Sequence, residues 1–263
     1  MLTIDPVELA AKLISIPSVT PARGPVFDAL GAMLEPLGFT VHRFVLGEAP
    51  DGPTENMVAI RDRGPGPHFG FAGHLDVVPP GDGWSGDPFE ARIEDGRLIG
   101  RGANDMKSAI AAFVSAVASV QQQRGTLSLL ITGDEEGYAT FGTPRIIDWL
   151  NERGIRPDMI LIGEPTSEQR LGDTVKIGRR GSVNMWLAVP GTQCHVAYPH
   201  KADNPVARLA RIVAALDELH LDDGTEQFPP SNLEFTGLST PTQASNVIPG
   251  EASAQLNIRF NNL

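Results

Sequence analysis

A single cysteine, Cys194, stands among 263 residues, so no disulfide can form within one chain, and the composition fits a reducing compartment. Positive charge is also scarce. Lys and Arg number 21 against 32 Asp and Glu, and the net charge of −11 repels nucleic acid and anionic membrane alike. Neither is expected as a partner, and any preference for a carboxylate ligand must come from local arginines. Long apolar runs are missing. The longest near-apolar stretch, Ala109 to Val120, is too short to span a bilayer. The N-terminal stretch from Met1 to Leu13 carries Asp5, Pro6 and Glu8 and lacks the basic start and apolar core of a signal peptide, so a cytoplasmic location is expected. What the chain does have is a globular balance, with 41% hydrophobic and 20% charged residues, and many turn formers, with 28 Gly and 22 Pro.

The pattern along the chain alternates strands with helices. Asp5-Pro6 with Glu8 three residues after the Asp predicts a capped helix ended by Pro17, and a second helix is expected over Pro25 to Leu37, stopping at Gly38. Apolar runs predict strands over Thr40–Leu46, Met57–Asp62, Phe69–Val78, Thr126–Thr132 and Met159–Ile162. Asp95-Gly96 between two short runs predicts a tight hairpin. Helices are expected over Asp105–Gln122 and Pro144–Arg153. Together these predict an α/β fold with a mostly parallel sheet flanked by helices, whose active site gathers at the carboxyl ends of the strands. The pattern then changes. A strand at Val183–Val189, an amphipathic helix opened by Asn204-Pro205, a strand at Leu233–Leu238 and a strict period-two run from Ala252 to Phe260 predict a smaller α+β unit. The expected domains are 1–178 and 179–263.

Four short segments carry candidate chemistry. Gly73-His74-Leu75-Asp76 ends an apolar strand, and residues two apart share a face, so His74 can bind a metal while Asp76 orients its ring. In Gly100-Arg101-Gly102-Ala103-Asn104-Asp105-Met106-Lys107, Asp105 reads either as the cap of a helix or as a carboxylate bridging two ions. In Thr132-Gly133-Asp134-Glu135-Glu136-Gly137 a buried strand runs into three acids, which repel one another unless a cation neutralises them. One Glu can then ligate while its neighbour serves as base. Ile162-Gly163-Glu164-Pro165 again ends a strand in a carboxylate. Each segment alone has a plain structural reading: a buried histidine, a helix cap, a solvated turn. Their convergence on one sheet edge points to a metal site. Nitrogen and oxygen donors without cysteine favour zinc, with cobalt or manganese as alternatives.

These motifs, in this order and spacing and with Trp84 after the first, resemble the M20 family of metallopeptidases over Met1 to Phe260. The runs Lys176 to Ser182, His195 to Pro205 and Ser245 to Glu251 resemble those of its deacylases, which cut the amide of an N-acyl amino acid. The resemblance implies a zinc-peptidase-like catalytic domain and a ferredoxin-like lid and dimerisation domain. It implies two zinc ions per subunit. His74 and Glu164 would bind one and Glu136 the other, with Asp105 bridging. Asp76 would support His74, and Glu135 would be the general base. His195 would reach across a homodimer to the substrate carbonyl, and Arg179, Ser182, Asn246 and Arg259 would hold substrate carboxylates or amides. Ser108 and Cys194 stand where glycine is usual in the family. A last histidine ligand has no counterpart after Glu164, so both domains are expected to be incomplete at the C-terminus and the second metal site short of ligands. The alternatives are another deacylase of the family and a metal-binding fragment without turnover.

Overall fold

The computed structural model describes residues 4–120, 122–242 and 244–263. Two compact units divide the chain, Met1–Thr166 and Ser167–Leu263. The boundary therefore falls before the expected one at 178. Past Thr166 the chain closes on itself, since the Asp173 carboxylate accepts the backbone N–H groups of Glu168, Gln169 and Arg170 at 2.9 Å each.

In the first unit, α1 (Pro6–Ile14) starts at Asp5, whose side chain accepts the Val7 N–H at 2.7 Å. Helix α2 (Pro25–Leu34) continues as a short 3₁₀ turn to Leu37 and stops at Gly38, which is left-handed at φ 85°. Strands β1 (Thr40–Leu46), β2 (Thr54–Asp62) and β3 (His68–His74) follow, then the hairpin β4 (Arg92–Glu94) and β5 (Arg97–Ile99). Asp95 and Gly96 both have positive φ, as a two-residue hairpin turn of this hand requires. The unit ends with α3 (Ser108–Ser119), β6 (Thr126–Thr132), α4 (Thr143–Glu152) and β7 (Met159–Ile162). The helix expected over Asp105–Gln122 is shorter, and its Gln121 lies outside the described residues. Asp105 does not cap it: at φ −126° and ψ 101° its backbone is extended, and the regular helix begins only at Ser108.

The sheet order is β1-β2-β6-β3-β7. It is mostly parallel as expected, with four strands running one way and β2 reversed, which makes it mixed. β3 runs parallel to β6 and β7, whereas β1–β2 and β2–β6 are antiparallel. The connections explain this. Parallel neighbours need a crossover, which α3 and α4 supply, while β1 reaches β2 through a loop alone. Period-two alternation then divides the strands between two helical layers. Met57, Ala59, Leu129 and Ile131 pack with Leu13, Phe27, Leu30, Ile110 and Val114 of α1, α2 and α3. Val58 and Leu130 pack on the other face with Ile146 and Leu150 of α4. β7 is the sheet edge, and Met159, Ile160, Leu161 and Ile162 are all exposed.

The second unit holds β8 (Gly181–Pro190), β9 (Cys194–His195), α5 (Pro205–Asp217), β10 (Asn232–Ser239), β11 (Val247–Ile248) and β12 (Glu251–Phe260). Its antiparallel sheet has the order β10-β12-β8, and β9 pairs with β11. Asn204 caps α5 by accepting the Val206 N–H at 3.0 Å. The buried residues Leu209, Ala252 and Ala254 form a small core, against which Leu187, Val189, Val213 and Phe235 pack. This is the α+β unit read from the sequence. Among the described residues, no helix is long and apolar enough to cross a membrane.

Ile131 lies in the central strand β6 with no exposed surface. Ile131→Ala is expected to lower the unfolding free energy by about 2–5 kcal/mol. Urea denaturation followed by circular dichroism checks this; a loss under about 1 kcal/mol would place Ile131 outside a tightly packed core.

Candidate metal centre

Three strand ends and one turn deliver the site, all within the first unit. β3 ends at His74, β6 runs into Glu135 and Glu136, β7 ends two residues before Glu164, and Asp105 lies in the turn ahead of α3. His74 is completely buried. Its Nδ1 donates to the Asp76 carbonyl oxygen at 2.9 Å, with the Asp76 carboxylate at 3.5 Å. That bond fixes the ring and turns Nε2 toward acids: Asp105 Oδ1 at 3.0 Å, Glu164 Oε1 at 3.4 Å and Glu135 Oε2 at 3.9 Å.

An imidazole whose Nδ1 carries the proton presents a lone pair at Nε2. A buried lone pair facing carboxylate oxygens is repulsive unless a proton or a metal ion lies between them. His74, Asp105 and Glu164 each offer one ligand atom, and these atoms lie within 4.8 Å of one another. Four-coordinate zinc with ligand bonds of about 2.0–2.1 Å spaces its ligand atoms by about 3.3 Å. The distances around Nε2 bracket that spacing, so the residues present fit such an ion.

The electrostatics agree. Burial pulls the His74 imidazolium toward the neutral form, but the hydrogen bonds and charge of Asp76, joined by Glu164, outweigh it and hold the pKa at about 11. Burial pushes the Asp76 carboxyl up, yet His74 and the N–H groups of Glu136 and Glu135 bring it below the ordinary Asp range. Glu135 is raised, first by burial and then by the carboxylates of Glu164, Asp76 and Asp105. Glu136 is raised by burial and by Asp105. An elevated carboxyl pKa suits a group that must take and return a proton near neutrality.

Asp76 has a wider role than orienting His74. Fully buried, it accepts the backbone N–H of Glu135 at 3.2 Å and of Glu136 at 2.9 Å, so one carboxylate ties the histidine strand to the acidic turn. Glu136 is thereby placed beside Asp105 but stands outside the three-residue ligand group. Asp134, the third acid of the run, is buried. Its N–H donates to Thr132 Oγ1 at 3.2 Å and its carboxylate accepts the Phe141 N–H at 3.4 Å, so it builds the turn instead of facing the site.

Two residues escaped the sequence reading. Met106 is buried, and its Sδ accepts the His74 N–H at 3.3 Å. A Cβ at Gly73 or Gly163 would stand 2.5 or 2.8 Å from its Cε, so those two glycines make room for it. Lys107 is also buried, and its Nζ donates to the carbonyls of Leu13 at 2.8 Å and Ile16 at 3.1 Å. The motif glycines were the available signal, since side chains missing on two strand ends imply something large between them.

The remaining expected site residues belong to the second unit. Ser182 and Arg259 are direct cross-strand partners of β8 and β12, and Ser182 Oγ accepts from Asn257 Nδ2 at 3.0 Å. His195 pairs with Val247, and the Val196 N–H donates to the Asn246 carbonyl at 3.1 Å, which brings His195 and Asn246 together. Arg179 lies exposed in the loop before β8. Trp84 donates from Nε1 to the Pro80 carbonyl at 2.8 Å and lies under the Arg101 guanidinium at 5.3 Å, a loop-packing role.

The pH dependence of stability follows from the His74–Asp76 pair. The raised pKa of His74 makes its support complete below about 6.5 and lost as the pH climbs toward 11. The lowered pKa of Asp76 makes its support present above 3.8 and lost as the pH falls. In the metal-free chain, the melting-temperature gap between wild type and His74→Gln is therefore expected to be widest near about pH 5–6 and to shrink toward about pH 9. Thermal melts in chelator check this, and a gap that widens with rising pH would contradict it.

Comparison with known proteins agrees with this geometry. The profile of peptidase family M20/M25/M40 matches residues 70–246. A succinyl-diaminopimelate desuccinylase of Sphingopyxis alaskensis is 61% identical over 259 residues, spanning 98% of this chain and 68% of the relative. One of Novosphingobium aromaticivorans is 62% identical over 263 residues, covering 99% and 70%. The solved M20 metallo-carboxypeptidase of Sulfolobus solfataricus shares the fold at TM-score 0.75 and 17% identity, covering 97% of this chain and 71% of that one. With a family match across most of its length and acids gathered around one buried imidazole, the chain belongs to peptidase family M20 and is a metal-dependent hydrolase.

Proposed function

We propose that the chain hydrolyses the amide of N-succinyl-LL-2,6-diaminopimelate, releasing succinate and LL-diaminopimelate on the route to diaminopimelate and lysine. The observation that carries the reading is the meeting of the buried His74 Nε2 with carboxylates of Asp105, Glu164 and Glu135 in one half-open site. The substrate follows from the relatives, which bear the name succinyl-diaminopimelate desuccinylase at about 60% identity. The reading places the enzyme in the cytoplasm.

His74, Asp105 and Glu164 would hold one ion, zinc or cobalt, and Asp105 with Glu136 would contribute to a second. Ions there would supply Lewis acidity to the scissile carbonyl. Glu135 is the proton carrier. Its Oε2, 3.9 Å from His74 Nε2, takes a proton from the attacking water and returns it to the departing nitrogen. Its raised pKa allows both transfers. Asp76 holds the backbone of Glu135 by accepting its N–H at 3.2 Å. His195 is assigned to the carbonyl oxygen, across a homodimer formed by the smaller unit. Arg179, Ser182, Asn246 and Arg259 are assigned to the carboxylates and amide of the substrate. These assignments rest on the family resemblance and on the pairing of Ser182 with Arg259 and of His195 with Asn246 in the second unit.

Glu135→Gln is expected to reduce turnover of the succinylated substrate by about 10²–10⁴-fold while leaving bound metal unchanged. Succinate release and metal content, measured on the same preparations, check this. N-acetylornithine assayed in parallel is expected to be the poorer substrate. Near-normal turnover by Glu135→Gln would remove Glu135 as the base, and preference for N-acetylornithine would overturn the substrate.

A further inference from the structure

We infer that Met106 and Lys107 are positioning residues that lock the Asp105 carboxylate onto the His74 side of the metal centre. The inference rests on reading His74, Asp105 and Glu164 as ligands.

Asp105 needs an external hold. Its side chain is 45% exposed and its backbone is extended, so neither burial nor a helix ladder sets its aim. The next two residues are anchored in opposite directions. The Met106 side chain points into the sheet, where the missing Cβ atoms of Gly73 and Gly163 leave a slot between the ends of β3 and β7. There its sulfur accepts the N–H of His74 itself, so the residue after one ligand is bonded to the backbone of another.

Lys107 goes the other way. Its N–H closes the turn onto the Gly102 carbonyl at 3.0 Å. Its ammonium reaches the C-terminal end of α1, where Leu13 in the last turn and Ile16, two residues past the helix, offer carbonyl oxygens. The last carbonyls of a helix have no partner within it, and that end carries partial negative charge, so a buried cation there is both hydrogen-bonded and electrostatically matched. No carboxylate forms a salt bridge with Lys107 among the described residues, which makes the helix end its anchor. The catalytic turn is therefore bolted on one side to a ligand strand and on the other to the N-terminal helix, 91 and 94 residues away in sequence.

The test uses the full chain stripped of metal by chelator and titrated with Co²⁺ alone, read by its visible absorption. Circular dichroism in chelator first establishes that each metal-free variant is folded. Lys107→Met keeps the length and apolar stem of the side chain and removes the ammonium. It is expected to bind Co²⁺ about 10–100-fold more weakly, with an altered visible band, as when a group supporting a metal ligand is lost. Met106→Leu, which preserves volume and removes the sulfur, is expected to change the band in the same sense. If Lys107→Met does not fold, Met106→Leu decides by the same criteria. A folded Lys107→Met with wild-type affinity and a wild-type spectrum would overturn the lock while leaving the metal site standing. A wild-type chain that takes up no Co²⁺ would instead remove the metal reading, and the lock with it.

Discussion

The lone pair of the buried His74 Nε2 and the carboxylates of Asp105, Glu164 and Glu135 face one another across a few ångströms. Acids brought this close to one another and to a buried ring repel unless a proton or a cation lies between them, and the supports around the site hold them there. Without metal a proton on His74 relieves the site, and Asp76 behind the ring, joined by Glu164 in front of it, outweighs burial to raise its pKa to about 11. With metal the same electrostatics become a binding free energy. A protein that only needed stability there would place apolar residues at those strand ends, so the cost points to function.

Holding mutually repelling groups requires stiff supports, and the structure provides them from behind. Asp76 binds the acidic turn by two backbone N–H groups while its own carbonyl fixes the histidine ring. Asp134 and Thr132 shape the turn from the inside. Beneath them lies a three-layer core in which β2 and β6 send alternate side chains to opposite helical layers. The parallel trio β6, β3 and β7 opens its carboxyl ends on one edge, and that common direction brings residues 74, 135 and 164 together.

Much of this was legible in the sequence. β1 and β7 have the bounds that their apolar runs predict, and Asp95-Gly96 forms the expected turn. His74, Asp105 and Glu164 meet as expected because β3 and the parallel β7 end side by side and the turn ahead of α3 lies against those ends. What escaped was what local pattern cannot encode. One strand, β2, is reversed because it joins both β1 and β3 without a helix, a matter of connection rather than of strand composition. Asp105 before a long apolar helix has the local signature of a cap, yet contacts from Met106 and Lys107 to distant segments hold it extended. A lysine at a helix start looks like a surface residue, and only the fold brings the end of α1 to it. Asp134 reads as one of three equivalent acids, whereas strand alternation carries it inward with Thr132.

The central claim is that one cation belongs between His74, Asp105 and Glu164. Anomalous diffraction at the zinc edge, from crystals of the chain grown with zinc, tests it most directly. The account predicts a strong peak within bonding distance of His74 Nε2 and of carboxylate oxygens from Asp105 and Glu164, about 2.0–2.2 Å from each. A fully occupied zinc elsewhere, for instance on His195 or His220, with the pocket at His74 holding none, would contradict it.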